Sequence, residues 1–430
     1  MEFNTYREKI FFYIIPIILF SLLPFFLITG PFLSDLSISL IGLLFLSYCF
    51  YKKNFSFFKN KFFYFFLFFW VYLLLNSLFN NFNFASLKIS FFYFRFGIFF
   101  VAITSLISFD NNILKFFFYC LLLCFVSLIL DGFYEYLFEE NILGWKKNVN
   151  RVSSFFGDEL ILGSYLSRLW PIFFGLIIFF YNLNDNKFLK VVFIFIFILS
   201  EVLIFISGER VAFFYLNLSA FFIIIFSTKL MRLRLFTLVI SFLLITLISF
   251  INPTAKKRMI DLTIQQSNIQ NFKNNEVLKK RNEFYVFSKQ HTHHYLSSYR
   301  MFLDYKLFGV GVKNFRNFCN HDKYKISNLS CSTHPHNTYI QIATETGIVG
   351  LFFLLIVLFF FIYFIFLHLF YKLKNKQLFT DFGICILSGI LITLWPLAPT
   401  GNIFNNWLNI IYYLYIPFLI GIKNFKKNQK

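Results

Sequence analysis

Twelve apolar runs recur along the 430-residue chain, starting near residues 10, 31, 62, 88, 113, 158, 190, 211, 235, 338, 378 and 403. Each is long enough to cross roughly 30 Å of hydrocarbon. In lipid every backbone N–H and C=O must find a partner within the protein, so segments of this length and uniform apolarity fold as spanning helices. The expected fold is an all-α polytopic membrane protein of about 12 transmembrane helices. The balance of 58% hydrophobic to 14% charged residues excludes a soluble globular chain. The first run follows Arg7 and Lys9 but has no small-residue cleavage site, so it reads as a spanning helix rather than a signal peptide.

Basic residues give the orientation. Lys52, Lys53, Lys59, Lys61, Lys115, Lys187, Lys190, Lys229, Arg232, Arg234, Lys372, Lys374 and Lys376 fall in alternate short connections, and Lys423, Lys426, Lys427 and Lys430 close the chain. The positive-inside rule then places both termini in the cytoplasm. Residues 1–251 form an N-terminal bundle of about nine helices and 338–430 a C-terminal group of about three. Between them, 252–337 forms one large outward-facing helical loop with 14 Lys or Arg against 5 Asp or Glu. A basic outward loop calls for an anionic partner, either membrane lipid headgroups or an anionic substrate, and nothing points to nucleic acid. Residues 276–305 show helical apolar spacing, and the turn FGVGVKNF follows. In an oxidising compartment Cys319 and Cys331 are expected to pair, closing a loop with a stabilisation on the order of 3 kcal/mol. The alternatives are two free thiols, or a metal site shared with His291, His293, His294, His321, His334 and His336. The HTHH spacing matches no familiar ligand set, so neither metal nor cofactor is expected.

Ionisable side chains inside hydrocarbon are costly and mark functional sites. Arg95 sits roughly 10 Å below the outer start of the fourth run at about 1.5 Å per residue. Glu201 and Arg168 lie at similar depth, and Glu209 and Arg210 stand at the outer edge in the tight SGER connection. Structural ion pairs of Glu201 with Arg95 or Arg168 are one reading. Arg95 stands equally as a substrate contact, and Arg210, in a connection that needs no charge, points to substrate. The stretch STHPHNTYIQIATETGIVG, 332–350, puts Pro335 at the expected start of a helix, with His336 and Asn337 in its first turn. There the helix dipole disfavours a charged imidazole, leaving His336 neutral and able to take a proton. Arg210 and Arg300 are candidates to hold an anion by forked hydrogen bonds, with His334 and Asn337 as further contacts. Glu345 is expected to be a structural hydrogen-bond partner, and Gly347 and Gly350 to allow close helix approach.

These segments carry a resemblance. HPHNTYIQIATETGIVG resembles the His-Asn signature of the O-antigen ligase and Wzy-type polymerase superfamily, SGERVAFFYL its arginine-bearing connection, and YRMFLDYKLFGVGVKNF its loop segment with an arginine ahead of a Gly-x-Gly turn. FFGDELILGSYLSRLWP is similar to a segment of some members, and the likeness runs from about residue 88 to 400. It implies a GT-C-like, metal-independent inverting glycosyltransferase of the bacterial inner membrane with its large loop in the periplasm. His336 would be the catalytic histidine, and Arg210 and Arg300 would bind the diphosphate of an undecaprenyl-linked glycan donor. Glu209, where the family carries a small residue, would partly compensate Arg210. The acceptor is lipid A-core in a ligase and a second lipid-linked glycan in a polymerase; the ligase is the leading reading. A secondary transporter is the alternative from another class, although the charges gather toward one face and no inverted repeat is visible. A scaffold for other envelope proteins leaves the buried arginines unexplained.

Overall fold

A computed structural model describes residues 3–80, 82–148, 151–181, 187–228, 231–266 and 287–428. Among them the chain is helical throughout, with two isolated β-bridges near residues 140–151 and no longer strand. Residues 6–26 form a broken apolar helix, interrupted near Pro16 and Pro24. After it come α1 (Pro31–Tyr51), α2 (Lys61–Phe79), α3 (Phe84–Phe109), α4 (Ile113–Phe138), α5 (Leu162–Phe180), α6 (Lys187–Ile206), α7 (Arg210–Phe226) and α8 (Met231–Ile251). A loop helix α9 (Lys289–Asp304) precedes α10 (Thr338–Leu373), α11 (Asp381–Leu394) and α12 (Asn406–Asn428). Every apolar run in the sequence thus falls on helix. Eight of these helices are long and apolar enough to cross a membrane, and α7 and α11 are shorter apolar helices. The chain is an all-α polytopic membrane protein.

The core lies where α12 packs on α3, and where α11 and α7 pack on α5. Lipid-facing positions carry exposed Phe and Leu, whereas α5 is buried over most of its length and includes Trp170, Tyr165 and Arg168. The ion pairs inside the bundle differ from those expected. Glu201 pairs with Arg234, a residue the charge pattern assigns to a connection but which is fully buried. The Arg234 guanidinium also lies 4.3 Å from the Trp170 ring centroid. Arg95 pairs with Asp35 of α1 at 2.8 Å. Arg168 meets no carboxylate among the described residues; its guanidinium lies 4.9 Å from the Tyr215 ring and 5.5 Å from that of Tyr412. Sequence spacing gives depth along a helix but not azimuth, so it found the charges and mispaired them.

Helix α9 covers Lys289–Asp304 of the expected 276–305 helix; 276–286 lie outside the described residues. Residues 306–312 dock onto the bundle through backbone bonds. Val310 N donates to Thr344 O at 2.8 Å, Gly311 N to Glu345 O at 2.9 Å, and Ile348 N to Lys306 O at 2.8 Å. Asn80 Nδ2 and Ser86 Oγ donate to the carbonyls of Gly309 and Val312, each at 2.5 Å. The approach needs glycine. Gly309 has φ +71 and a Cβ there would overlap the Glu345 backbone, while Gly347, at φ +66, breaks α10 where the Leu307 carbonyl abuts it. Cys319 and Cys331 are joined as a disulfide with Cα atoms 5.0 Å apart.

Candidate functional site

The helix after the histidines begins later than its proline suggests. Asn337 is the N-cap of α10, and its Oδ1 accepts from the amides of Tyr339 and Ile340 at 3.0 and 3.1 Å. Asn capping those amides removes the anion-binding capacity expected of this helix terminus. Its Nδ2 donates to Pro396 O at 2.8 Å and Ala398 O at 3.4 Å. Asn337 is therefore committed to structure rather than free for substrate.

His336 stands outside the helix with φ +61, a left-handed conformation uncommon for a side chain of this size. The segment joining α11 to α12 holds it there. Thr400 N donates to His336 O at 2.9 Å, Thr400 Oγ1 and Thr338 Oγ1 are 3.0 Å apart, and Tyr339 OH donates to Leu394 O at 2.6 Å. Gln341 donates to Asn402 Oδ1 at 2.9 Å and accepts from Ile403 N at 3.1 Å. His334 is bound on both sides, its Nε2 donating to Thr400 O at 3.2 Å, which leaves Nδ1 to accept from Thr333 Oγ1 at 2.9 Å. Like Asn337, it is a support. The half-buried His336 ring makes no hydrogen bond among the described residues.

Four imidazoles crowd together. The His336 centroid lies 4.1 Å from that of His334, 5.3 Å from His294, on which it stacks, and 5.6 Å from His291. His291 and His294 are one turn apart on α9 and face α10, so an i, i+3 pair on one helix face was the sequence signal for them. Both nitrogens of His294 are buried without a hydrogen-bond partner among the described residues. Burial first, and the neighbouring imidazoles second, push His294 down to about 4. His291 falls to about 4 by burial, then His336, then the charge of Arg210, and His334 to about 3 chiefly by burial. Burial lowers His336 as well. The cluster is a set of uncharged imidazoles, in which His336 packs against the two histidines of α9 and Arg210 neighbours His291.

Arg210 begins α7, and its Nη1 donates to Thr263 Oγ1 at 3.3 Å. Glu209 does not compensate it: that carboxylate accepts from Gly163 N at 2.6 Å, from Ser164 N at 3.0 Å and from Ser164 Oγ at 2.6 Å, capping α5. Arg300 is not brought to the site. It is nine residues from His291 on α9, about 13 Å along and half a revolution around. There it is exposed and donates to Lys325 O at 3.3 Å, beside the face where His293 bonds Ser327 Oγ at 2.6 Å. Arg95, held by Asp35, is also apart from it. Glu345 is fully buried and accepts from Gln341 Nε2 at 2.9 Å and Phe315 N at 3.2 Å, tying the support segment to the loop. His368, unassigned in the sequence, bonds Phe226 O at 3.2 Å and accepts from Phe379 N at 3.3 Å.

No curated protein matches the chain. Residues 193–355, a little over a third of the 430, match the Wzy_C family model, described as O-Antigen ligase. That stretch runs from α6 into α10 and contains Arg210, the loop and all four clustered histidines. Over these residues the chain is similar to the O-antigen ligase family.

Proposed function

We propose that the protein is an O-antigen ligase-like glycosyltransferase that moves a glycan from undecaprenyl diphosphate to a hydroxyl of lipid A-core. The observation that carries this reading is the uncharged His336 ring, held by its backbone in a left-handed pose, making no hydrogen bond among the described residues and lying 5.6 Å from the ring of His291, whose neighbour in turn is Arg210. In the proposed step the acceptor oxygen attacks the anomeric carbon and its proton passes to a His336 nitrogen. The bond from the anomeric carbon to the diphosphate oxygen breaks, and the diphosphate leaves with its negative charge held by arginine. Attack opposite the leaving group inverts the anomeric centre, and arginine takes the charge-stabilising role without a metal. A neutral base with depressed proton affinity suits this, because it starts unprotonated and faces a cation without repulsion. The site would lie at the periplasmic face of the bacterial inner membrane, with both termini cytoplasmic.

The test is transfer of a defined lipid-linked glycan by purified protein in lipid nanodiscs. Wild type is expected to form glycan on lipid A-core with or without chelator, and His336→Ala to lose transfer while folding normally. Longer lipid-linked glycan in place of modified lipid A-core would assign the protein as a polymerase. Retained transfer by His336→Ala would remove the histidine as base.

A further inference from the structure

Arg168, the seventh residue of α5, lies buried inside the bundle roughly 9 Å from the start of that helix. Its Nε and Nη1 are sealed from solvent and meet no hydrogen-bond acceptor among the described residues. Its surroundings are aromatic. The guanidinium carbon lies 4.9 Å from the Tyr215 ring centroid on α7 and 5.5 Å from that of Tyr412 on α12, and Tyr415 OH donates to the Arg168 carbonyl. These three tyrosines are its electrostatic neighbours. The hydroxyls of Tyr215 and Tyr412 are themselves buried without a partner among the described residues. Hydrogen-bond donors thus gather around one positive charge, and Arg168 forms no ion pair among the described residues.

A guanidinium keeps its proton out of water, and burying it without a counter-charge is costly. The bundle meets that cost elsewhere with carboxylates, Asp35 for Arg95 and Glu201 for Arg234. Contact with two rings offsets part of it, but a ring face offers the N–H groups no lone pair. We infer that Arg168, Tyr215 and Tyr412 form a binding site for a small monovalent anion of the halide class, such as chloride. One negative charge matches one guanidinium, and both phenols can donate to the same ion. A phosphate or sulfate dianion would leave net negative charge buried, and its dehydration cost is larger because that cost grows as the square of the charge. The site also lies behind the support of His336. Tyr215 packs with Ile392, Trp395 and Ala398, and Ala398 O accepts from Asn337 Nδ2 at 3.4 Å. The bound anion braces α5, α7 and α12 against that segment and takes no part in the chemistry.

The experiment follows thermal unfolding of the full-length chain in nanodiscs at equal ionic strength in chloride, bromide or gluconate, the last too large for an enclosed site. Chloride and bromide are expected to raise the melting temperature of wild type saturably over gluconate. Tyr412→Phe keeps the ring and loses the hydroxyl, so it should need roughly tenfold more chloride for the same shift. Arg168→Met should melt alike in all three salts. Wild-type crystals grown in bromide need no variant: anomalous scattering should place the ion within hydrogen-bonding reach of Arg168. Water at that position, or wild type that melts alike in chloride and gluconate, overturns the site. A chloride shift that Arg168→Met retains places the ion elsewhere and overturns it too.

Discussion

Thr400 holds the peptide of His336 at a distance of 2.9 Å from N to O, and its own carbonyl takes the Nε2 proton of His334 at 3.2 Å. One residue of the segment between α11 and α12 thus sets the pose of the proposed base and the tautomer of its neighbour. The strain of a left-handed histidine, of order 1–3 kcal/mol, is offset by these bonds and by those of Asn337.

Asn337→Ala removes an N-cap and two bonds to the support segment. It is expected to lower stability by about 1–2 kcal/mol and to reduce kcat more than it raises donor KM, because base placement suffers and anion binding does not. Asn337→Asp keeps the cap but loses both donors, so it should retain most of the stability and still lose rate. Thermal unfolding in detergent alongside steady-state transfer separates the two effects. A KM effect with unchanged kcat contradicts the assignment.

The imidazole cluster fixes a pH dependence. His291, His294 and His334 bind protons less readily folded than unfolded, with values lowered to about 4, 4 and 3. Their contribution to stability is complete above the unfolded value near 6.5 and is lost progressively as pH falls from there through the folded values. Transfer should hold to below pH 6.5, since His336 is lowered too. An acidic limb in the pH–rate profile centred above 6.5 runs against a neutral His336 base.

Glu201 and Arg234 are a buried pair with 2% and 0% of their side chains exposed. Removing one partner strands the other: Arg234→Met or Glu201→Gln is expected to cost about 3–5 kcal/mol. The double variant should regain much of that loss. Melting temperatures of the two single variants and the double variant give the coupling, and additive losses would argue against the pair.

Arg210 and Arg300 are expected to part company. Arg210→Gln should raise donor KM roughly tenfold or more, whereas Arg300→Ala, exposed on the far face of α9, should leave KM within about threefold. Equal penalties would place Arg300 at the donor after all.

How much of this was legible in the sequence follows from what periodicity encodes. Apolar length located the helices, and SGER and HPH marked the two ends of the site, because charges and histidines are rare where lipid should be. Partners were not legible. Arg95 with Asp35 and Glu201 with Arg234 depend on which helices adjoin. The helix start at Thr338 rather than Pro335 turned on Asn337 claiming the cap, and the role of Thr400 on a turn some sixty residues downstream. Arg300 and His291 share one helix, and only their angular separation, which a quick reading of spacing passes over, told which of them faces the membrane cluster.

The break at Gly347 divides α10 into a short anchored piece, 338–346, and a long piece running to Leu373. The upper piece is bonded to residues 310–311 and 400–403 and the first residues below the break, Ile348 and Val349, to 306–307, whereas the rest of the lower piece is largely bare toward lipid. Because bonds on both sides of Gly347 clamp the kink to the loop, a tilt imposed on the lipid-facing shaft by bilayer thickness has to be absorbed below Val349, away from the histidine above it.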